Sequence, residues 1–348
     1  MTSRGVRYAV ASALTFGIAA PLAKRLVADV APLPLASLLY LGAGIGLLAV
    51  TAVRRGDGTE REAALGVTDR ATLAAMIVVG GLVGPVLMLV GFRSVSGVAG
   101  ALLLNLEAPL TMLLAVALFG EHVGTRVVGG AAAIVAGAML LSAAPGEVRG
   151  GTTGVAALVG ACTAWALDNN LAARLALRDP IAVACWKTTG AGVLGALLSA
   201  VLGYRLPPLP VSATALAVGF VGYGVSIVYA VRAMRELGAA RQAAFFALAP
   251  FAGALAAVPL LGETIGVREL CAAGSMIAGV VLLGRERHVH RHAHEPLTHD
   301  HLHVHDEHHA HAHDHPVVAG ERHSHAHTHA RLVHEHPHVS DAHHRHRH

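Results

Sequence analysis

Apolar residues gather along this chain into runs of about twenty, separated by short polar breaks. Ten runs can be drawn, at about 7–27, 33–53, 71–92, 97–119, 123–142, 153–174, 181–203, 211–231, 239–261 and 265–284. A helix of about 20 mostly apolar residues is long enough to cross the hydrocarbon layer of a membrane. The breaks carry turn-forming residues: Arg54-Arg55-Gly56-Asp57-Gly58, Ala144-Pro145-Gly146, Asp179-Pro180 and Leu206-Pro207-Pro208. The pattern predicts ten spanning helices on short connections. Near Gly284-Arg285-Glu286-Arg287 it gives way to a polar tail in which histidine alternates with other residues.

Composition supports this division. The whole chain is 54% hydrophobic and 14% charged, against roughly 25% charged in an average soluble protein, and its mean hydropathy is +0.56. A soluble globular enzyme would lack the charge to cover its surface. Of the 25 histidines, all but His122 fall within residues 288–348, so one average describes two materials. Cys162, Cys185 and Cys271 all sit in apolar runs and read as buried small hydrophobes rather than a disulfide framework. The pI near 9.2 does not indicate nucleic acid, because the basic residues are scattered and form no continuous patch. There is no Ser/His/Asp arrangement, no P-loop and no His-Glu-x-x-His motif, so the chain is not read as an enzyme.

Lys and Arg placement orients the helices, since they concentrate on the cytoplasmic side. With the N-terminus inside, that side holds Arg4, Arg7, Arg54, Arg55, Arg61, Arg70, Arg126, Arg174, Arg178, Arg232, Arg235, Arg241, Arg285 and Arg287. The outer side holds only Lys24, Arg25, Arg93, Arg149, Arg205 and Arg268. An even number of spans returns the C-terminus to the same side. The first run is read as a retained helix and not a cleaved leader, because it aligns with the sixth run: Phe16 with Trp165, Leu22-Ala23 with Leu171-Ala172, Arg25 with Arg174.

A stronger internal match joins the fourth and fifth runs to the ninth and tenth. Pro109 matches Pro250, Gly120-Glu121 matches Gly262-Glu263, and Arg126 matches Arg268. Ala136-Gly137 matches Ala278-Gly279, and Leu140-Leu141 matches Leu282-Leu283. The chain therefore divides into two halves of five spans. Five is odd, so the second half enters the membrane from the opposite face. That is the inverted repeat of many secondary transporters, which bind substrate near the midplane where the halves meet. The expected units are residues 1–145, residues 146–287 and a tail, residues 288–348. Glycine pairs such as Gly80-Gly81 and Gly129-Gly130 let membrane helices approach closely.

The stretch Leu104-Asn105-Leu106-Glu107-Ala108-Pro109-Leu110-Thr111, ending in Phe119-Gly120-Glu121, resembles the fourth helix of EamA-type members of the drug/metabolite transporter superfamily. So does its partner, Ala249-Pro250-Phe251 through Leu261-Gly262-Glu263. The resemblance covers residues 1–284 and implies a small-solute transporter. Trp165-Ala166-Leu167-Asp168-Asn169-Asn170-Leu171 looks like a subgroup feature. The second run reads Leu39-Tyr40-Leu41 where many relatives carry an Arg.

Ionisable residues inside spans are costly and mark functional sites. Glu107 stands about halfway along the fourth run, and Leu248 takes its place in the other half. An unmatched carboxylate at that depth suits proton coupling or cation coordination; a structural hydrogen bond to a neighbouring helix is the alternative. Asn105, two residues away, faces elsewhere on a helix. Asp168 and Lys187 lie nearly equidistant from Arg178 at the sixth–seventh turn, so an antiparallel hairpin brings them to one depth as an ion pair. Asn169 and Asn170 extend that polar patch, and Trp165 either lines a cavity or packs. Glu121 and Glu263 follow glycines at loop junctions, where loop or helix-end hydrogen bonding is expected.

The tail offers His299, His301, His303, His305, His308, His309, His311, His313, His315, His323, His325, His327 and His329 as metal ligands, with Asp and Glu interspersed. Imidazole suits zinc, nickel, cobalt and copper. Without a fixed ligand spacing, several exchanging sites are expected, and the low apolar content predicts disorder without metal. The expectation is thus an all-α membrane protein of about ten transmembrane helices as two inverted five-helix repeats, plus a disordered His-rich tail. It would sit in the inner membrane with both termini cytoplasmic. It would move a small metabolite or drug-like solute by alternating access, with proton coupling through Glu107. The alternative is a zinc, nickel or cobalt permease using the tail as metal acceptor or donor. The expected partners are the lipid bilayer and a small-molecule or metal substrate, with no nucleic acid; a homodimer stays open. No cofactor is required, and the tail would bind a divalent transition metal.

Overall fold

A computed structural model of the chain describes residues 3–56, 64–119, 124–142, 151–175, 178–237, 239–284, 288–294, 297–303, 323–329 and 332–338. Its body is helical. The long helices are α1 (Ser3–Val27), α2 (Pro32–Gly56), α3 (Arg70–Met76 continuing through Ile77–Val83 and Gly84–Phe92) and α4 (Gly97–Leu103, Leu104–Leu106 and Glu107–Phe119). They continue with α5 (Thr125–Ser142), α6 (Gly151–Ala172), α7 (Pro180–Val201) and α8 (Leu209–Gly219, Phe220–Val225 and Ser226–Leu237). The last two are α9 (Ala239–Phe246 and Ala249–Leu261) and α10 (Val267–Gly284). Eight of these ten qualify as membrane spans by length and composition. The other two are α6, made more polar by Asp168-Asn169-Asn170, and α10, with Arg268-Glu269 in its first turn.

The interruptions inside helices have local causes. Proline lacks an N–H and its ring crowds the carbonyl four residues back. Pro109 follows the 3-10 turn Leu104–Leu106 in α4. Pro250 follows the break between the two pieces of α9. The matched prolines therefore disturb the matched helices at the same point. Two wider turns are also matched: Ile77–Val83 in α3 and Phe220–Val225 in α8 are π-helical. Such segments leave backbone groups out of the regular ladder and concentrate at functional sites.

Packing follows the same exchange of halves. Helix α2 lies along its counterpart α7, and α5 along its counterpart α10. Helix α1 packs on α9 and α8, as α6 packs on α4 and α3. Small residues make this possible. A Cβ on Gly130 would stand 2.8 Å from the Gly279 carbonyl oxygen, and one on Gly279 would stand 2.6 Å from that of Gly130, so α5 and α10 touch backbone to backbone. The central core combines Leu35, Leu39, Leu89, Phe92, Leu102, Leu103, Ile134, Leu158 and Met276 with many alanines. Leu113, Leu197, Leu255 and other large apolar side chains remain exposed at the periphery, where acyl chains satisfy them as well as protein would.

Polar ties sort to two opposite ends of the body. At one, Arg178 pairs with Asp69 at 2.8 Å and Arg4 approaches Glu236 at 3.8 Å. At the other, Lys24 donates to the carbonyls of Phe92 and Val95 at 2.7 and 2.6 Å. Arg93 there donates to those of Val27 and Val30. The Glu263 carboxylate, at the end of α9, accepts from the N–H groups of Gly97 and Val98 at 2.6 and 2.8 Å. It thereby caps α4 across the boundary between halves, as loop hydrogen bonding of Glu263 requires. A cavity of about 560 Å³ opens at this end, lined by Lys24, Arg25, Phe92, Arg93 and Glu263. Glu121 and His122 lie outside the described residues.

One expectation needs correction. Cys162 and Cys185 are buried, but Cys271 is exposed on α10, because its side of that helix turns away from α5. Four described segments of the tail pair as antiparallel ladders. They are β1 (His288–His294), β2 (Leu297–His303), β3 (His323–His329) and β4 (Leu332–His338), with β1 on β4 and β2 on β3. The physical reason is the alternation itself: a period of two is the strand period. His305, His308, His309, His311, His313 and His315 lie outside the described residues.

Candidate substrate site

The polar residues of the membrane interior collect where α3, α4, α6 and α7 meet. Helix α6 supplies most of them, because Trp165, Asp168 and Asn169 are spaced to reach both α3 and α4 across adjoining faces. Lys187, from α7, forms an ion pair with Asp168. Only 4% of Asp168 is exposed, and its second oxygen, Oδ1, has no hydrogen-bond partner among the described residues. A buried carboxylate oxygen without a donor is a costly feature and a place where a ligand donor would fit.

Glu107 is half-buried on the neighbouring face of α4. Its Oε1 accepts a hydrogen bond from Asn169 Nδ2 at 2.7 Å. Asn169 also approaches Thr111 Oγ1 at 3.4 Å and is itself exposed. Glu107 lies within electrostatic reach of both Asp168 and Lys187. Two carboxylates and one ammonium thus share one region of low dielectric, so a proton or a cation gained by one changes the field on the others.

The π-helical turn of α3 closes the group. The Gly80 carbonyl accepts from Trp165 Nε1 at 3.0 Å and from Tyr40 Oη at 3.1 Å. Gly80 has to be glycine here, because a Cβ would stand 2.6 Å from Asp168 Cβ; a Cβ added at Gly84, one turn on, would likewise stand 2.7 Å from Trp165 Nε1. Tyr40 in turn packs against Tyr223, from the π-helical turn of α8, with ring centroids 5.8 Å apart. Tyr223 meets Phe16 of α1 edge-on at 5.4 Å. The two matched turns therefore face one another through an aromatic layer.

Not every residue singled out in the sequence joins this group. Asn105 is buried but turns to α10, donating to the Leu102 carbonyl and approaching Met276 Sδ at 3.8 Å. Asn170 donates to the carbonyls of Thr111 and Ala166, which ties α6 to α4 and leaves its donor group occupied. Glu107, Asn169, Asp168, Lys187 and Trp165 are brought together. Sequence reasoning missed Tyr40, Thr111, Gly80 as an acceptor, and Tyr223. Tyr40 carried a signal, as a tyrosine hydroxyl inside an otherwise apolar run. Among the described residues of the body, no group of three or more His, Cys, Asp or Glu side chains converges as a metal site would.

Ten helices in two exchanged halves, with ion-paired and carboxylate side chains at their junction, define a polytopic helical membrane protein of the transporter type. The model of the EamA-like transporter family matches residues 3–143 and again 152–285, and the chain belongs to that family. It is 26% identical over 291 residues to an uncharacterized transporter of Methanothermobacter thermautotrophicus, covering 79% of this chain and 84% of that one. A solved crystal structure of a protein at 19% identity superposes with a TM-score of 0.57, over 81% of this chain and 96% of the other; that likeness concerns the fold alone.

Proposed function

We propose that this protein is a secondary-active transporter that moves a small metabolite or drug-like solute by alternating access. The observation that carries this reading is the convergence of Glu107–Asn169 and Asp168–Lys187 on one interior junction, beside an unpartnered carboxylate oxygen. In this mechanism the solute occupies the space beside Asp168 Oδ1 and the Asn169 amide. Glu107 exchanges a proton: protonated, it releases its claim on Asn169, and deprotonated, it holds it. Trp165 and Tyr40 fix the wall of the site through the Gly80 carbonyl. The Glu263 cap on α4 opposes opening at one end, and the Asp69–Arg178 pair at the other. Alternating access requires these two sets of ties to break in turn.

The excess of Arg on one side supports an inner-membrane orientation with both termini cytoplasmic. The same assignment puts Arg178, Asp69, Arg4 and Glu236 at the cytoplasmic end, in keeping with their pairing across it. The polar residues at the junction favour an organic solute over a metal ion as cargo, since softer imidazole or thiolate sets suit transition metals. In everted membrane vesicles holding an imposed pH gradient, addition of a transported metabolite from a panel discharges the gradient with the wild-type protein. Glu107→Gln is expected to abolish the discharge while leaving solute exchange across the membrane. Discharge by Glu107→Gln at the wild-type rate removes Glu107 from coupling.

A further inference from the structure

The cavity of about 560 Å³ at the Glu263 end has a lining whose charges are out of balance. Three of its side chains are cations. Lys24 and Arg25 occupy the last turn of α1, and Arg93 directly follows the end of α3. Each reaches across to the carbonyls of another segment. Lys24 donates to Phe92 and Val95, Arg93 to Val27 and Val30, and Arg25 to Leu260 at 3.2 Å. These bonds satisfy carbonyls at helix ends, where the helix dipole favours cations. They do not neutralise three full charges, since a helix end carries only about half a unit. Among the described residues, none of the three cations forms a salt bridge. The acid in the lining is Glu263, and its carboxylate already accepts from the Gly97 and Val98 N–H groups. Asp29, on the loop after α1, is exposed and is not part of the lining.

We propose that this cavity is an oxyanion site, which takes a carboxylate or phosphate group among Arg25, Arg93 and Lys24. A guanidinium has five N–H donors and an ammonium three. Among the described residues, the bonds above take one N–H of Arg25, two of Arg93 and two of Lys24. The remaining donors are left for a ligand, and the planar guanidinium forks match carboxylate and phosphate bidentately. Val27, Phe92 and Leu261 give the cavity an apolar wall for the rest of a small organic anion. Its volume falls within the about 300–1,000 Å³ of small-molecule sites. Two sources carry this chemistry, a free solute and the phosphate of a lipid headgroup. With a free solute the cavity is a capture point for anionic substrates at the face opposite the Asp69–Arg178 pair, a role that rests on the transporter reading above.

The test uses the purified full-length protein in detergent. Sodium phosphate and sodium succinate are the free probes, and phosphatidylglycerol added to the micelles is the lipid probe. Apparent affinity is read from the rise of the thermal midpoint with probe concentration, at an ionic strength held constant with sodium chloride. Arg25→Gln and Arg93→Gln are each expected to weaken binding by about tenfold, as loss of a charged hydrogen bond implies, and Arg25→Lys to keep most of it. Arg205→Gln removes a charge outside the cavity and is expected to bind as the wild type does. Saturation by phosphate or succinate identifies a free solute as the source. Saturation by phosphatidylglycerol alone identifies the lipid headgroup and removes the capture role. The site itself is overturned by no saturable rise with any probe, or by equal affinity in the wild type, Arg25→Gln and Arg93→Gln. That failure with solute-driven discharge of the pH gradient intact leaves the transporter reading standing, so the two fail separately.

Discussion

Gly80→Ala tests the packing of the interior site most directly. The added Cβ would meet Asp168 Cβ at 2.6 Å, about 1 Å inside the normal carbon–carbon contact of roughly 3.5 Å. Rotating the Asp168 side chain does not relieve this clash, because Cβ is fixed to the backbone of α6. Helices α3 and α6 must therefore separate by about 1 Å. Overpacking of this kind costs roughly 1–3 kcal/mol. The shift also stretches the bonds from Trp165 and Tyr40 to the Gly80 carbonyl, each worth about 1 kcal/mol. Alanine returns roughly 1 kcal/mol of helix propensity, leaving a net loss of about 2–4 kcal/mol. Gly129→Ala and Gly274→Ala are the controls, since nothing lies within 4 Å of a Cβ at either position. The assay is the thermal midpoint of monodisperse protein in detergent, with solute-driven discharge of a pH gradient in vesicles. A displacement of about 1 Å at a binding site is enough for a loss of order 100-fold in rate. If Gly80→Ala melts and transports like Gly129→Ala, the close approach of α3 to Asp168 is wrong.

Asp168→Asn and Lys187→Met should each be harmful, by about 3–5 kcal/mol in stability, because each leaves one buried charge unpaired. Folded yield of the Asp168→Asn/Lys187→Met double variant then separates roles: restored folding with no transport marks the pair as part of the mechanism, and restored transport marks it as structural. Glu263→Gln removes a charged acceptor from two N–H groups at the start of α4, and a carboxylate there is favoured by the helix dipole by about 0.3–1 kcal/mol. It is expected to lower the thermal midpoint modestly and to raise the reactivity of a cysteine introduced at Val98 with a water-soluble maleimide; unchanged labelling would argue against a closing role for that cap. Arg178→Ala at the opposite end should raise labelling of a cysteine placed at Leu175, which is buried there, and by the same reasoning should leave Val98 unaffected.

The sequence by itself determined the number of long helices and the pairing of Asp168 with Lys187. These follow from one-dimensional rules: apolar length against membrane thickness, and counts of residues from a turn, which place Asp168 opposite Lys187. The tertiary structure decided what those rules do not reach. Asn105, two residues from Glu107, belongs to the α10 contact, and Asn170, one residue from Asn169, has its amide bound to backbone carbonyls. Adjacent residues on a helix face different neighbours, and only packing says which neighbour is a site and which is a strut. The π-helical turns left no mark in an apolar pattern that any helical winding satisfies, yet they turn the Gly80 carbonyl toward Trp165 and Tyr40. The tail shows the same division. Alternation was plain in the sequence, but which histidine stands opposite which depends on strand register, a long-range choice that composition does not encode.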